Sequence, residues 1–356
     1  MPCAALLPHR APAVVQNTSS AYRRAMNRIV VMGLGPIGIA AAVAVQRAID
    51  MQLVGLVDID PRKLGKRLTE LTPDAASDAS ADEVAVVSDV AQLPDADVAI
   101  LCTASYFDRV APDLRLFLRR KMHVVSSCEQ MTWPWLSHPH LSDVINAEAK
   151  SAGVALIGTG VNPGFVMDVL PVALSSMTLN VRQVRVTRVV DALLRRLPLQ
   201  RKIGSTMTPA HFHDLAKQHK IGHMGLGESV VMLAQGLGRH PLRSEIQISL
   251  APVIADREIE SAMGVVLPGQ VCGIRNVGRY KNHGLDVELD LTMSLGAPNP
   301  RDEITITGDR TITTIIPGST PGDTATVAAL VNVARVIIRA PAGLRTMLDL
   351  PVVGSM

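Results

Sequence analysis

Arg28-Ile-Val-Val-Met32 runs directly into Gly33-Leu-Gly35-Pro36-Ile37-Gly38, and the joint between them decides the fold. A short β-branched run without polar alternation reads as a strand buried on both faces. The glycines then open Ile39 to Ile49, whose small apolar residues suit a helix packed on a sheet. Leu53 to Val57 makes a second strand ending at Asp58, 20 residues beyond the third glycine. Strand, G-x-G-x-x-G turn, helix, strand and acid in this order form the dinucleotide-binding fingerprint. Gly33 permits the tight turn, Gly35 lets backbone approach a pyrophosphate, and Gly38 lets the helix pack closely. Pro36 and Ile37 belong to the same phosphate-facing helix start. Asp58 would accept hydrogen bonds from the adenosine ribose, which favours NAD. Arg62 and Lys63 follow within one helical turn and would suit a 2′-phosphate, so NAD and NADP both stay open.

Working outward, Val84 to Val87, Asp97 to Cys102, His123 to Ser126 and Val154 to Ile157 read as further strands. Amphipathic stretches near 106–120 and 140–151 supply the crossovers, which gives an α/β, doubly wound parallel sheet of Rossmann type. After Gly164 the texture changes to long alternating segments: Val181 to Val189, Glu245 to Leu250, Leu285 to Met293 and Glu303 to Thr307. Alternation at period two predicts a second, α+β domain with a mostly antiparallel sheet and one solvated face. The apolar helix Thr324 to Ile338 must be buried, back against the first domain. The expected division is 26–164 for the dinucleotide-binding domain, 165–320 for the substrate and dimerisation domain, and 321–356 for the closing helix and tail.

Length and composition agree with two domains. The chain has 356 residues, 47% apolar and 19% charged, enough for sizeable cores and against extensive disorder. A net charge of +3, with no basic run interleaved with aromatics, gives no nucleic-acid footprint. No apolar run is long enough to span a membrane. The four cysteines are scattered without C-x-x-C spacing, which speaks against a zinc site or disulfide framework and fits a reducing cytoplasm. Residues 1–25 contain no acidic residue and several arginines and serines; they suit either an organelle-targeting segment or a plain extension ahead of Met26.

Ligands of such sheets sit at the C-terminal ends of the strands. Three strand ends converge there: Thr103-Ala-Ser105, Ser127-Cys128-Glu129 and Gly158-Thr-Gly-Val-Asn162. Thr103, Ser105, Ser127, Cys128 and Asn162 are therefore cofactor-binding candidates. Glu129 is the candidate catalytic carboxylate, with a helix-capping role as the competing reading. Asn162 can equally cap a helix, and Cys128 can be a small buried filler. Only nine residues are aromatic, and Tyr106, Phe107, Trp133, Trp135 and Phe165 lie just past strand ends. Trp133, Trp135, Phe165 and Met167 are taken as a substrate pocket; packing between domains is the alternative. His138-Pro-His140 and His211-Phe-His213 lack the carboxylate or cysteine partners a metal site needs, so no metal is expected.

Five motifs in order resemble the dihydrodipicolinate-reductase-like group: Val124 to Trp135, Gly158 to Asp168, Arg201-Lys-Ile-Gly204, His223 to Ser229 and Pro317 to Thr326. Within that group, the chain from Met26 onward is most similar to 2,4-diaminopentanoate dehydrogenases and native NAD(P)-dependent amine dehydrogenases. The resemblance implies oxidative deamination of a small primary amine, reversible as reductive amination of an aldehyde or ketone with ammonia. It also implies a homodimer, and a carboxylate at Glu129 that assists proton transfers. The paired histidines and lysine of true dihydrodipicolinate reductases are absent. Related sugar dehydrogenases carry Glu-Lys-Pro where this chain has Glu129-Gln130-Met131, and losing that lysine shifts the weight from a hydroxyl to an amine. A diamino acid substrate would need a basic pocket residue, for which Arg201 or Lys202 would serve. A protein that senses NAD(P) without turnover is the reading from another class.

Overall fold

The computed structural model describes residues 26–75, 84–193 and 195–355; the expectation for residues 1–25 falls outside them. The first half alternates strand and helix: β1 (Asn27–Met32), α1 (Pro36–Gln46), β2 (Met51–Val57), α2 (Leu68–Leu71), β3 (Val86–Val87), β4 (Val98–Leu101), α3 (Phe107–Arg119), β5 (His123–Ser126), α4 (Pro139–Ala152) and β6 (Ala155–Gly158). These strands pair in parallel in the order β6-β5-β4-β1-β2-β3. Alternation along β1 sorts its side chains between two cores. Ile29 and Val31 join the core that holds α1, while Val30 and Met32 join the core that holds α3 and α4. Helices on both faces explain why these strands read as unbroken apolar runs.

The second half contains α5 (Val169–Ser175), β7 (Gln183–Asp191), α6 (Leu197–Lys202), α7 (Pro209–Lys217), α8 (Leu226–Gly236), β8 (Gln247–Ile254), β9 (Ile259–Ser261), β10 (Gly264–Val266), β11 (Val271–Asn282), β12 (Leu285–Ser294), β13 (Arg301–Thr307) and β14 (Thr311–Pro317). Six of these strands form a sheet in the order β14-β13-β7-β12-β11-β8. All its pairings are antiparallel except the central one, β7 with β12, which is parallel. This is the mostly antiparallel sheet expected; alternation reports how many faces are buried and says nothing of strand direction, so it could not single out the one parallel pair. One face packs on α8 through Val186, Leu289, Leu291 and Val230. The other carries ion pairs such as Arg185–Asp286 and Arg275–Asp290, each partly exposed and worth at most about 1 kcal/mol.

The chain ends with α9 (Gly322–Val336), which lies along α1, and β15 (Gly343–Arg345), which adds a parallel edge strand beside β6. Among the described residues no helix is long and apolar enough to cross a membrane.

Candidate active site

The β1–α1 turn is shaped by two glycines. Gly33 has φ +88°, and a Cβ there would stand 2.7 Å from the Cys102 carbonyl carbon, so only glycine lets this turn lie on the end of β4. At Gly38 a Cβ would run into the Gly33 carbonyl oxygen, which fixes how closely α1 approaches the strand. Gly35 is different, because a Cβ there meets nothing within 4 Å and would project into open cleft. Behind the turn, Asp58 Oδ2 accepts from Leu34 N–H at 2.7 Å and from Lys63 Nζ at 2.8 Å, and Oδ1 accepts from Asp60 N–H. Burial works against ionisation of Asp58, but Lys63 and these two N–H groups outweigh it and hold the carboxyl below its ordinary value.

A cleft of about 380 Å³ lies between the strand ends of the first sheet and the face of the second. It brings together Gly35, Pro36, Ile37 and Gly38 of the turn with Thr103, Ser105 and Ser127 of the next two strand ends. Glu129 and Asn162 complete the expected set that lines it.

The other candidates lie elsewhere. Gly33 is under the turn and Asp58 behind it, both shaping the site without lining the cleft. Arg62 extends into solvent and holds Asp60 with two N–H groups. Cys128 is fully buried in the α3 core, and burial pushes its thiol up to about 12, so its side chain cannot meet a ligand in the cleft. The expected aromatic pocket does not form there. Two short 3-10 turns, Glu129–Thr132 and Pro134–Leu136, carry the chain away from the strand end. Trp133 and Trp135, edge to face at 6.1 Å, therefore line a separate hollow with Leu344 and Leu348. Met167 is buried in the second core, and Phe165 packs against both cores, as the interdomain alternative had it. Tyr106 is exposed and Phe107 is core.

Glu129 opens its 3-10 turn at the cleft, its side chain 22% exposed, with Lys202 Nζ 3.7 Å from Oε1. Lys202 comes from the end of α6, so a lysine faces Glu129 although none follows it in sequence. Arg201 beside it is exposed and does not line the cleft. The same wall carries Arg188, paired with buried Asp302 at 2.6 Å, and Arg195 and Arg196, both paired with Asp323. His223 also lines the cleft, and burial, Lys202 and Arg188 push its imidazole down to about 3, against the pull of the Asn162 carbonyl. It is neutral at any working pH. Glu228, in the first turn of α8, is buried and its carboxyl is pushed up to about 7. Burial dominates there; hydrogen bonding to its own N–H and to Ser137 opposes it, and Glu129 adds to it.

Sequence reading missed Thr159, His223 and the arginine wall as site residues, although Thr159 and His223 sit inside quoted motifs. Thr159 is 2% exposed, lines the cleft, and its Oγ1 has no hydrogen-bond partner. A buried hydroxyl without a partner is costly unless a ligand satisfies it. That orphan, together with the open cradle at Gly35, fits a nicotinamide dinucleotide laid from the β1–α1 turn toward Glu129. Among the described residues no cluster of three or more His, Cys, Asp or Glu is placed to hold a metal.

Residues 165–356 match the family described as the 2,4-diaminopentanoate dehydrogenase C-terminal domain. Over 336 residues the chain is 30% identical to 2,4-diaminopentanoate dehydrogenase of Acetoanaerobium sticklandii, covering 91% of this chain and 93% of that protein. It is 27% identical over 217 residues to an amine dehydrogenase of Streptomyces virginiae, covering 59% of each. The structure of an amine dehydrogenase from Mycobacterium smegmatis superposes with a TM-score of 0.80 at 25% identity, covering 93% of this chain and 97% of that one.

Proposed function

The chain belongs to the 2,4-diaminopentanoate dehydrogenase family, and from that premise we propose a reaction and a role for each side of the cleft. The protein is an NAD(P)-dependent oxidoreductase acting on CH–NH2 donors. The overall change is RR′CH–NH3⁺ + H2O + NAD(P)⁺ giving RR′C=O + NH4⁺ + NAD(P)H + H⁺. A bound nicotinamide supplies the hydride acceptor. The Gly35 cradle and α1 N-terminus hold the pyrophosphate, while Thr103, Ser105, Ser127, Thr159 and Asn162 orient the nicotinamide end or the substrate.

Glu129 carries the proton chemistry. An amine must be neutral before hydride can leave its carbon, so the carboxylate takes a proton from the incoming ammonium. It then faces the substrate iminium, whose positive charge it stabilises, and draws a proton from the water that attacks that carbon. Its partial exposure gives the first proton a route to solvent before the second arrives. Lys202 stands 3.7 Å away, and an ammonium entering the site competes with it for Glu129. The single observation that supports this reading is the placement of Glu129 in one cleft with the glycine turn.

We take the substrate to be a small primary amine, and the reaction to run in reverse as reductive amination with ammonia. The basic wall of Lys202, Arg195 and Arg196 favours a second reading, an amine that also bears a carboxylate, such as a 2,4-diamino acid. We also take the working unit to be a homodimer. The edge strands β8 and β14 expose Ile248, Ile254 and Ile315, and exposed apolar edges favour pairing; light scattering on the purified protein tests it.

The main test is cofactor oxidation by purified protein supplied with NADH or NADPH, ammonia and a panel of small aldehydes, ketones and oxo acids. Oxidation that requires ammonia is expected, and its absence with every carbonyl would remove the amine reading. Glu129→Gln should bind cofactor with unchanged affinity and lose about 10²-fold or more in kcat, the usual worth of a general base. A variant with wild-type turnover would leave Glu129 without its role.

A further inference from the structure

The arginines on the cleft wall meet their carboxylates in different ways. Asp302 is fully buried and accepts from Arg188 Nη1 at 2.6 Å, Ser319 Oγ at 2.7 Å, and the Thr320 N–H and hydroxyl at 2.7 and 2.6 Å. That carboxylate is sealed and serves the fold. Asp323, in the first turn of α9, has a side chain 36% exposed and is held by two guanidinium groups from the segment that leads into α6. Arg196 grips it in a fork, Nε at 2.8 Å and Nη2 at 3.1 Å, and Arg195 adds Nη2 at 2.9 Å. All three residues line the cleft, and they also line a second hollow of about 360 Å³ beside it.

The arginine segment is fixed from behind. Gln200 is fully buried, and its amide nitrogen donates to the carbonyls of Ala192, Leu193 and Arg195. Gly322 leaves room in front, since a Cβ there would stand 2.8 Å from Arg195 Nη2. Helix α9 packs along α1; its Thr326 takes the N–H of Val161 beyond β6, and its Arg335 reaches Asp50 ahead of β2. Both helices therefore begin at the cleft and aim their positive ends into it. Two guanidinium groups against one carboxylate leave positive charge in excess there. The buried, unpartnered hydroxyl of Thr159 lies beside the same turns: a Cβ on the next residue, Gly160, would be 3.7 Å from Thr326. Positive charge in excess and a hydroxyl without a partner suit an anionic oxygen group.

We propose that Asp323 is an internal stand-in for an anionic oxygen group of the ligand: on binding, Arg195 and Arg196 release Asp323 and take the ligand's oxygens in the same forked geometry. The half-exposed pairs are screened by water and exchange readily. A ligand laid in the cleft covers the cluster and strengthens its own contacts to it. Two groups carry this chemistry. One is a phosphate of the dinucleotide, entering from the α1 turn. The other is a substrate carboxylate, held at the opposite end of α6 from Lys202 and Glu129. The carboxylate source rests on the second reading above, an amine that also bears a carboxylate; the phosphate source requires only the dinucleotide.

Asp323→Asn tells a stand-in from a support. Affinity for NADH and NADPH is read by fluorescence titration, and KM for an oxo acid and for the neutral ketone of the same length by ammonia-dependent cofactor oxidation. Freeing the arginines should tighten one ligand about two- to fivefold, the equilibrium equivalent of one exposed ion pair. A gain in nucleotide affinity identifies the phosphate; a lower KM for the oxo acid alone identifies the carboxylate. Arg196→Gln should weaken that same ligand about tenfold or more, through loss of a bidentate charged contact. Added to Arg196→Gln, Asp323→Asn should give a smaller gain than it gives alone. An equal gain in both backgrounds would reduce the effect to a general rise in positive charge and overturn the proposal. Weaker binding of both ligands in Asp323→Asn would mean that Asp323 holds the arginines for the ligand, and unchanged values that no ligand reaches them; either result overturns it as well. The titration needs no turnover, so if the wild type shows no ammonia-dependent oxidation the amine reading falls and the nucleotide affinities alone decide the proposal.

Discussion

Asp58 and its neighbours decide which dinucleotide the protein prefers. The carboxylate is held ionised by Lys63 and by two backbone N–H groups, so it is in place to receive ribose hydroxyls and to repel a 2′-phosphate. Lys63, with its ammonium on Asp58, is the cation closest to that choice, whereas Arg62 is turned to Asp60. In Asp58→Ala the repulsion goes and Lys63 is released to meet a phosphate. The affinity for NADH, followed by fluorescence titration, should fall about tenfold or more, while that for NADPH holds or tightens. Equal losses for both nucleotides would show that Asp58 merely supports the turn. This acid was legible in the sequence because its place is fixed by local spacing from the third glycine. Lys202 was legible only as a basic pocket residue; its approach to Glu129, and that of His223 to Asn162, were not, because segments distant in sequence bring them there and no local spacing encodes that approach.

The β1–α1 turn separates folding from binding at the level of an element. Gly38 is required by the protein itself, since a Cβ there strikes the Gly33 carbonyl, while nothing protein-made lies within 4 Å of a Cβ on Gly35. Gly38→Ala should therefore lower the melting temperature by several degrees, an overpacking cost of about 1–3 kcal/mol. Gly35→Ala should melt with wild-type protein yet weaken dinucleotide binding about tenfold or more, because the methyl fills the cradle. Should Gly35→Ala bind cofactor normally by calorimetry, the dinucleotide would not approach that backbone. The elements themselves were largely readable, because burial on two faces or one leaves different periods in the sequence. What period could not give was the parallel pairing of β7 with β12, or the course of the chain after β5. There the 3-10 turns beside Glu129 redirect Trp133 and Trp135 to another surface.

At the scale of the molecule, α8 joins the two halves: Met232 packs in the core of the first sheet, and Leu226, Val230 and Leu233 pack in the core of the second. Assembly around α8 leaves Glu228 buried in its first turn and His223 just before it, and the two groups give stability opposite dependences on pH. His223, pushed down from 6.5 to about 3, makes the unfolded chain bind the extra proton, so its contribution is lost as pH falls below 6.5. Glu228, pushed up from 4.5 to about 7, makes the folded chain bind the extra proton. Its contribution is complete below 4.5 and lost as pH rises to about 7. Each slope is about 1.4 kcal/mol per pH unit, so between 4.5 and 6.5 they nearly cancel. Glu228→Gln removes one of them while keeping a polar group of the same shape. Relative to wild type its unfolding free energy should rise with pH, reaching a gain of about 3 kcal/mol near neutrality and no further change above it. Denaturant titrations near pH 5, 6 and 8 measure that difference. A constant offset between the two proteins across the three would mean that Glu228 is ionised as readily in the fold as in the unfolded chain, and that α8 does not seal it.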